Sequence, residues 1–376
     1  MRQVWSSLEA STPGLRRDEA LSYGGMSAET CAGAVYSPLG GHFYRVVRRH
    51  EQPGHRGSGR RAPLHRYGLA ADPAVFTAQL VRNRQDPRVI GAMTLLLDDE
   101  DVLMSQDRWC VYRPTRGLHP PGGESSASPP VDRPEWRTRG NLHLDLHPWN
   151  YMRRPVVEPS GGGGAGGAVE AELDFEHARD FPRELNQARG AGPHVRQRPL
   201  CLRATLRRTA PPLIWQVQGV LALLDSRCVE AGGVEDGGTL LVPGFHAVFE
   251  RWQQALGPVE GHLESHKGEG CNWLVARPGG GSSYKFSDSD AVHALSRRVP
   301  VREGSLLVWD QRLVHGSRPN DSSRPRMAQF VRGFRRASAH SAAAAARRRA
   351  LIEREMRSAG TLELLTPLGR RVFGLS

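Results

Sequence analysis

At 376 residues, with 39% hydrophobic residues and eight tryptophans, the chain can bury a full core, as one elaborated domain or two small ones. It lacks an apolar run of about 18 residues, and Met1 to Glu9 lacks the apolar centre of a secretion signal, so neither a membrane span nor secretion is expected and a cytoplasmic location is. The formal net charge of +12 would suit a polyanionic partner, but only two of the 51 basic residues are lysine (Lys267 and Lys285) and many arginines sit in irregular Gly/Pro-rich tracts, as a coding bias would place them; no specific nucleic-acid partner is expected.

Residues 1 to about 35 read as a helix and a loop, and the basic, Gly/Pro-rich stretch 46–66 as a loop. Val75, Phe76, Leu80 and Val81, then Val89, Ile90, Met93, Leu95 and Leu96, have helical spacing interrupted at Asp86-Pro87, which predicts two packed helices. From Val102 the period shortens. Trp109 to Tyr112 is a strand ended by Arg113-Pro114, and Asn141 to His147 alternates as a strand. Ser160 to Gly167 is a Gly-rich spacer, and 173–187 has helical character. The basic, Pro-rich segment 195–212 suits neither element and reads as an insertion. Val217 to Asp225, Gly237 to Gly244, Arg298 to Val301, Leu306 to Trp309, Leu313 to His315 and Met327 to Val331 are short strands with Gly/Pro turns between them. Phe245 to Leu256 and the Ala/Arg-rich tail 341–358 are helices. Strands in no βαβ alternation favour a β-sandwich or jelly roll. The five cysteines (31, 110, 201, 228 and 271) are scattered, which argues against a disulfide framework or a cysteine-bound zinc.

The chemistry concentrates in three places. His143 and Asp145 are two residues apart in an alternating segment, so on one strand they would share a face and grip a metal between them. His315 follows an apolar strand and precedes Gly316, which would leave room beside an ion. Two histidines and a carboxylate with the remaining positions open form the donor set of non-haem iron(II) oxygenases. Arg326, eleven residues after His315, could hold the far end of a dicarboxylate. His147 would continue the same strand face but at i+4 would lie too far from His143 to share one ion; a role beside the ligands or facing the substrate is expected. Tyr112, Arg113, Gln218, His246 and Trp309 are further candidates for lining the pocket.

These blocks resemble the phytanoyl-CoA dioxygenase-like family of 2-oxoglutarate-dependent oxygenases. They are His143-Leu144-Asp145, then His315-Gly316-Ser317-Arg318-Pro319-Asn320, then Arg326, supported by Glu235 to His246 and by Thr366 to Gly374. The resemblance implies a mainly β chain with flanking helices around a double-stranded β-helix, or jelly roll. It implies Fe(II) on His143, Asp145 and His315, and 2-oxoglutarate held at its distal carboxylate by Arg326 and Ser317. It further implies O2 as co-reactant, ascorbate as an activator, and hydroxylation of a small or lipid-like substrate with release of succinate and CO2. Related halogenases carry a small residue where Asp145 stands, so the carboxylate points to hydroxylation.

The expected organisation is a helical and loop region over 1–100, a catalytic β domain over 101–336 with a low-complexity insertion at about 155–216, and a C-terminal helix and tail over 337–376. The final Gly374-Leu375-Ser376 is no peroxisomal address. Two other readings are a nucleic-acid demethylase of the same class and a degenerate cupin-like binding protein. The second is motivated by the segment at about 195–216, which interrupts a normally compact connection and reads as translated non-coding sequence. Neither the substrate nor the oligomeric state is legible from the sequence.

Overall fold

The computed structural model describes residues 16–19, 76–107, 109–119, 129–138, 140–151, 216–227, 236–263, 270–275, 283–336 and 342–376. Two short helices come first, α1 (Ala78–Arg84) and α2 (Pro87–Leu97). They meet at Asp86, whose carboxylate caps α2 by accepting from the Arg88 N–H while Pro87 takes the first helical position. Strands β1 (Val102–Met104), β2 (Trp109–Tyr112) and β3 (Asn141–Leu144) follow, and the short α3 (Pro148–Tyr151). After these come β4 (Gln216–Ala222), β5 (Gly238–Leu241), α4 (Phe245–Ala255), β6 (Trp273–Val275) and β7 (Ser283–Lys285). The chain closes with α5 (Val292–Leu295), β8 (Arg297–Val299), β9 (Leu306–Asp310), β10 (His315–Arg318), β11 (Arg326–Arg335), α6 (Ala342–Ser358) and α7 (Pro367–Phe373).

The described strands form two antiparallel sheets. One is five-stranded, ordered β1-β11-β4-β9 with β2 also on β11; the other is six-stranded, ordered β6-β7-β3-β10-β5-β8. Chain neighbours such as β9 and β10 lie in different sheets while β3 and β10, far apart in sequence, are paired. This is the jelly-roll arrangement expected for the β core.

Period-two alternation divides the five-stranded sheet. Val217, Val331, Val102 and Met104 face outward and are covered by Val81, Met93 and Leu97 of the first helices and by Ile352, Met356, Val372 and Phe373 of the last. The inward set includes Val220, Trp309 and Ala328. On the six-stranded sheet Leu142, Leu144, Leu274 and Tyr284 pack with Phe245, Phe249 and Trp252 of α4, leaving the alternate residues to face the other sheet. The five-stranded sheet is therefore clothed by both ends of the described chain.

Two strand boundaries differ from the sequence reading. The strand expected to run to His147 ends at Leu144, and Asp145 and Leu146 form a bend. His315 opens β10 where a strand end was expected, because the Asp310 to Leu313 turn makes the sharp change of sheet just before it. The Gly-rich spacer at 160–167, the helix expected at 173–187 and the basic segment over 195–215 lie outside the described residues, as do 1–15 and 46–66.

Candidate metal and cosubstrate site

Strand pairing brings the distant histidines together. His315 is directly opposite His143 in the β10–β3 register, and their ring centroids are 4.4 Å apart. Residues directly opposite in an antiparallel pair project to the same side, so both imidazoles enter the space between the sheets. This pairing needs Gly316: a Cβ there would sit 1.5 Å from the carbonyl oxygen of Asn141. The missing side chain thus makes room for a neighbouring backbone, where the sequence reading had it clear a space beside the ion.

Asp145 reaches the same point from the bend after β3. Its Oδ1 is 3.4 Å from His143 Nε2 and its Oδ2 is 3.6 Å from His315 Nε2. One ligand atom from each of the three residues can be chosen so that all lie within 4.8 Å of one another, and all three residues are buried or nearly so. Donors at right angles around an ion with bonds of about 2.1 Å would be about 3 Å apart, close to the 3.4 and 3.6 Å between Asp145 and the two histidines, while any wider pair has to draw together. The protonation chemistry also fits. His315 Nδ1 is 2.9 Å from the Leu313 carbonyl, which can only accept, so Nδ1 carries the hydrogen and Nε2 presents its lone pair. Burial holds the His143 imidazole well below its usual pKa, with Lys285 adding to the effect and Asp145 opposing it, so the ring is neutral and able to ligate. Lys285 stands directly opposite His143 on β7.

Arg326 opens β11 beside this centre, 4% exposed. Its NH2 donates to Thr239 Oγ1 at 3.1 Å, NH1 lies 3.9 Å from Cys110 Sγ, and the guanidinium stacks 4.7 Å from the centroid of the Tyr112 ring, its register partner. No carboxylate pairs with Arg326 among the described residues. Among the described residues this buried guanidinium is held by a hydroxyl, a thiol and a ring, a setting that suits an anion. Ser317, two residues beyond His315 on the same face, sits opposite Thr239 and Asn141 in register and hydrogen-bonds the Tyr112 hydroxyl. Burial raises the Tyr112 pKa, keeping the phenol a neutral donor at physiological pH.

The other candidates fall into distinct places. Gln218 and Trp309 face each other across β4 and β9. The indole N–H donates to Gln218 Oε1 at 3.2 Å, which turns the Gln218 amide N–H toward Asp145 Oδ2 at 3.4 Å. The Trp309 ring is 5.2 Å from that of His315. Arg113 lies over Trp136, 5.1 Å from its centroid. His147 packs edge-on against Trp149, 5.9 Å between centroids, and His246 is exposed on the first turn of α4. Neither belongs to the cluster of three ligand residues.

Sequence reasoning did not find Arg332, whose NH2 is 3.6 Å from Asp145 Oδ2, nor Thr239 as the hydroxyl on Arg326. It named Asn320 only as part of a motif. Asn320, 1% exposed, accepts from the Gly237 N–H and donates to the Arg113 and Arg324 carbonyls, fastening the β10–β11 loop to the start of β5 and the end of β2. A buried asparagine with every polar atom committed is a structural tie, and its signal was the unbroken His315 to Asn320 string.

The family model for phytanoyl-CoA dioxygenase matches residues 228–328, which include β5, β10 and His315. A relative from Dictyostelium discoideum, named "Putative phytanoyl-CoA dioxygenase", is 28% identical over 272 residues, covering 72% of this chain and 58% of its own length. The chain thus spans little more than half of that relative. Among solved structures, EctD from S. alaskensis in its apoform is 13% identical with a TM-score of 0.31, over 68% of this chain and 52% of that one. HygX from Streptomyces hygroscopicus with nickel and 2-oxoglutarate bound is 14% identical with a TM-score of 0.27, over 68% and 64%. The chain is thus similar to phytanoyl-CoA dioxygenases over the stretch that carries His315 and Arg326, and to this relative over most of the chain's length.

Proposed function

We propose that the protein is a non-haem Fe(II)/2-oxoglutarate-dependent dioxygenase that hydroxylates a small or lipid-like organic substrate. The observation that carries this reading is that two different receptors are joined through the paired strands β5 and β10: a His143, Asp145 and His315 cluster, and a buried Arg326, bonded to Thr239 beside β10, with no carboxylate partner among the described residues. A metal site alone would suit many functions. A metal site beside an anion receptor suits a dicarboxylate that chelates at one end and is anchored at the other.

The iron would supply oxygen activation, coupled to conversion of 2-oxoglutarate to succinate and CO2. The remaining work belongs to the chain. His143, Asp145 and His315 would hold the ion on one face, leaving the other positions open. Arg326, with Thr239, Ser317 and the Tyr112 hydroxyl around it, would take the distal carboxylate and fix the cosubstrate's orientation. Val220, Trp309 and Ala328 help keep the space between the sheets dry, which strengthens each of these charge contacts. The two arginines near the site, Arg326 and Arg332, are buried and suit a compact anion or a neighbouring carboxylate better than a phosphodiester backbone. That favours a small-molecule substrate over a nucleic acid.

The test is succinate formation from 2-oxoglutarate with Fe(II), ascorbate and O2, in the wild type and in His143→Ala. Iron-dependent turnover lost in the variant is expected. Turnover that survives the substitution would remove the assigned site, and none in the wild type would favour a binding protein on an oxygenase fold.

A further inference from the structure

The Asp145 carboxylate is gripped from the opposite sheet. Arg332 lies on the inner face of β11, 5% exposed, with NH2 3.6 Å from Asp145 Oδ2. Gln218, directly across from Arg332 on β4, aims its amide N–H at the same oxygen from 3.4 Å. The Gln218 amide cannot face the other way, because the Trp309 indole N–H, a donor only, occupies its oxygen. Arg332, Gln218 and Trp309 therefore form one register row across the five-stranded sheet, facing the His143 and His315 row of the other. Asp145 is not on a strand, so its own backbone does little to fix the carboxylate.

We infer that Arg332 is a positioning residue for the metal site: with Gln218 it engages Asp145 Oδ2, leaving Oδ1 to ligate alone. This rests on the iron site proposed above. A carboxylate free to turn could take an ion through both oxygens and fill a position that the cosubstrate or O2 needs. A cation on Oδ2 withdraws that oxygen and holds the ring of donors to one geometry. The assignment is separate from cosubstrate anchoring. Arg326 is six residues earlier on the same face of the strand, about 20 Å away along the backbone, and serves a different neighbour.

The test uses the full chain, stripped of metal by chelation and titrated with Co(II) alone, whose visible spectrum reports the number and geometry of ligands. Wild type, Arg332→Gln, Arg332→Lys, Gln218→Leu and His143→Ala are compared, with Val331→Ala as a control that thins the outward core without facing the site. Arg332→Gln should bind Co(II) about 10- to 100-fold more weakly, with an altered spectrum. Arg332→Lys should fall between it and the wild type, and Gln218→Leu should shift the same way by less. Val331→Ala should lower the melting temperature yet leave affinity and spectrum unchanged, a separation that a merely structural role for Arg332 would not produce. If Arg332→Gln does not fold, Arg332→Lys decides. Wild-type Co(II) affinity and spectrum in the folded Arg332 variants overturn the assignment, while loss of binding in His143→Ala alone leaves the site itself standing. Failure of the wild type to bind Co(II) overturns both.

Discussion

Arg326→Met separates stability from function. The Arg326 guanidinium is 4% exposed, yet its described contacts are one hydroxyl at 3.1 Å, one thiol at 3.9 Å and one aromatic face at 4.7 Å. A hydrogen bond from a charged donor returns roughly 1.5–3 kcal/mol and a desolvated cation–π contact about 2. Burying the cation costs several kcal/mol, so the ligand-free protein gains little or nothing from holding it there. Methionine fills similar volume without that cost, and the metal-free variant should be as stable as the wild type or about 1–3 kcal/mol more so, a rise of about 2–10 °C in melting temperature. Binding should move the opposite way. Removing one partner of a buried charge pair costs about 2–5 kcal/mol, which weakens 2-oxoglutarate by roughly 30- to 5000-fold. Calorimetric melts with and without 2-oxoglutarate test both halves: the wild type should rise by an amount set by ligand concentration over Kd, and the variant should not. A variant that melts several degrees lower without ligand, or still responds to 2-oxoglutarate as the wild type does, refutes the reasoning.

The metal-free protein should lose stability on acidification. The folded-state pKa of His143 lies well below that of the unfolded chain, so between the two the unfolded state binds more protons; the contribution is complete above about pH 6.5 and falls by up to about 1.4 kcal/mol per unit below it. Urea melts at pH 7.5 and 5.5, with chelator, should show this slope in the wild type and a shallower one in His143→Gln. Gly316→Ala places a methyl group inside the Asn141 carbonyl and should cost about 3 kcal/mol or more, with loss of metal binding as β10 and β3 part; metal titration beside a denaturation curve checks both. Asn320→Ala leaves the Gly237 N–H and the Arg113 carbonyl without their buried partner and should cost about 2–4 kcal/mol, read by denaturant midpoint, while His143 and His315 stay paired.

How much was legible in the sequence follows from what each residue does. His143, Asp145, His315 and Arg326 stood out because few side chains can offer a metal lone pair or a planar cation, and they recur in a fixed order. The helices at α1 and α2 were legible from their spacing and the Asp86-Pro87 break. Arg332 was not, because its meaning comes from a register of seven paired positions between β11 and β4 and from the distance between two sheets, neither of which is local. Gly316 was noticed for the wrong reason: a missing Cβ is visible in sequence, but the atom it would strike belongs to Asn141, 175 residues earlier. The extension of β3 to His147 failed because alternation of Leu142, Leu144 and Leu146 continues through the bend, where Leu146 is still buried. Burial can outlast the ladder.

Two further buried arginines stand away from the site. Arg84 on α1 donates to the carbonyls of Leu80, Ser105 and Asp107, and Arg348 on α6 to those of Met104 and Phe373. Burial lowers their pKa values to about 10 and about 9, still high enough to keep both charged at neutral pH. One comes from the beginning of the described core and one from its end, and they hold neighbouring carbonyls at the end of β1, Arg348 that of Met104 and Arg84 those of Ser105 and Asp107. The two flanks and the sheet edge are thereby riveted into one cooperative body. Trimming the protein to its strands would leave a row of main-chain oxygens with no donor, so a minimal folded fragment has to carry both of its helical wings.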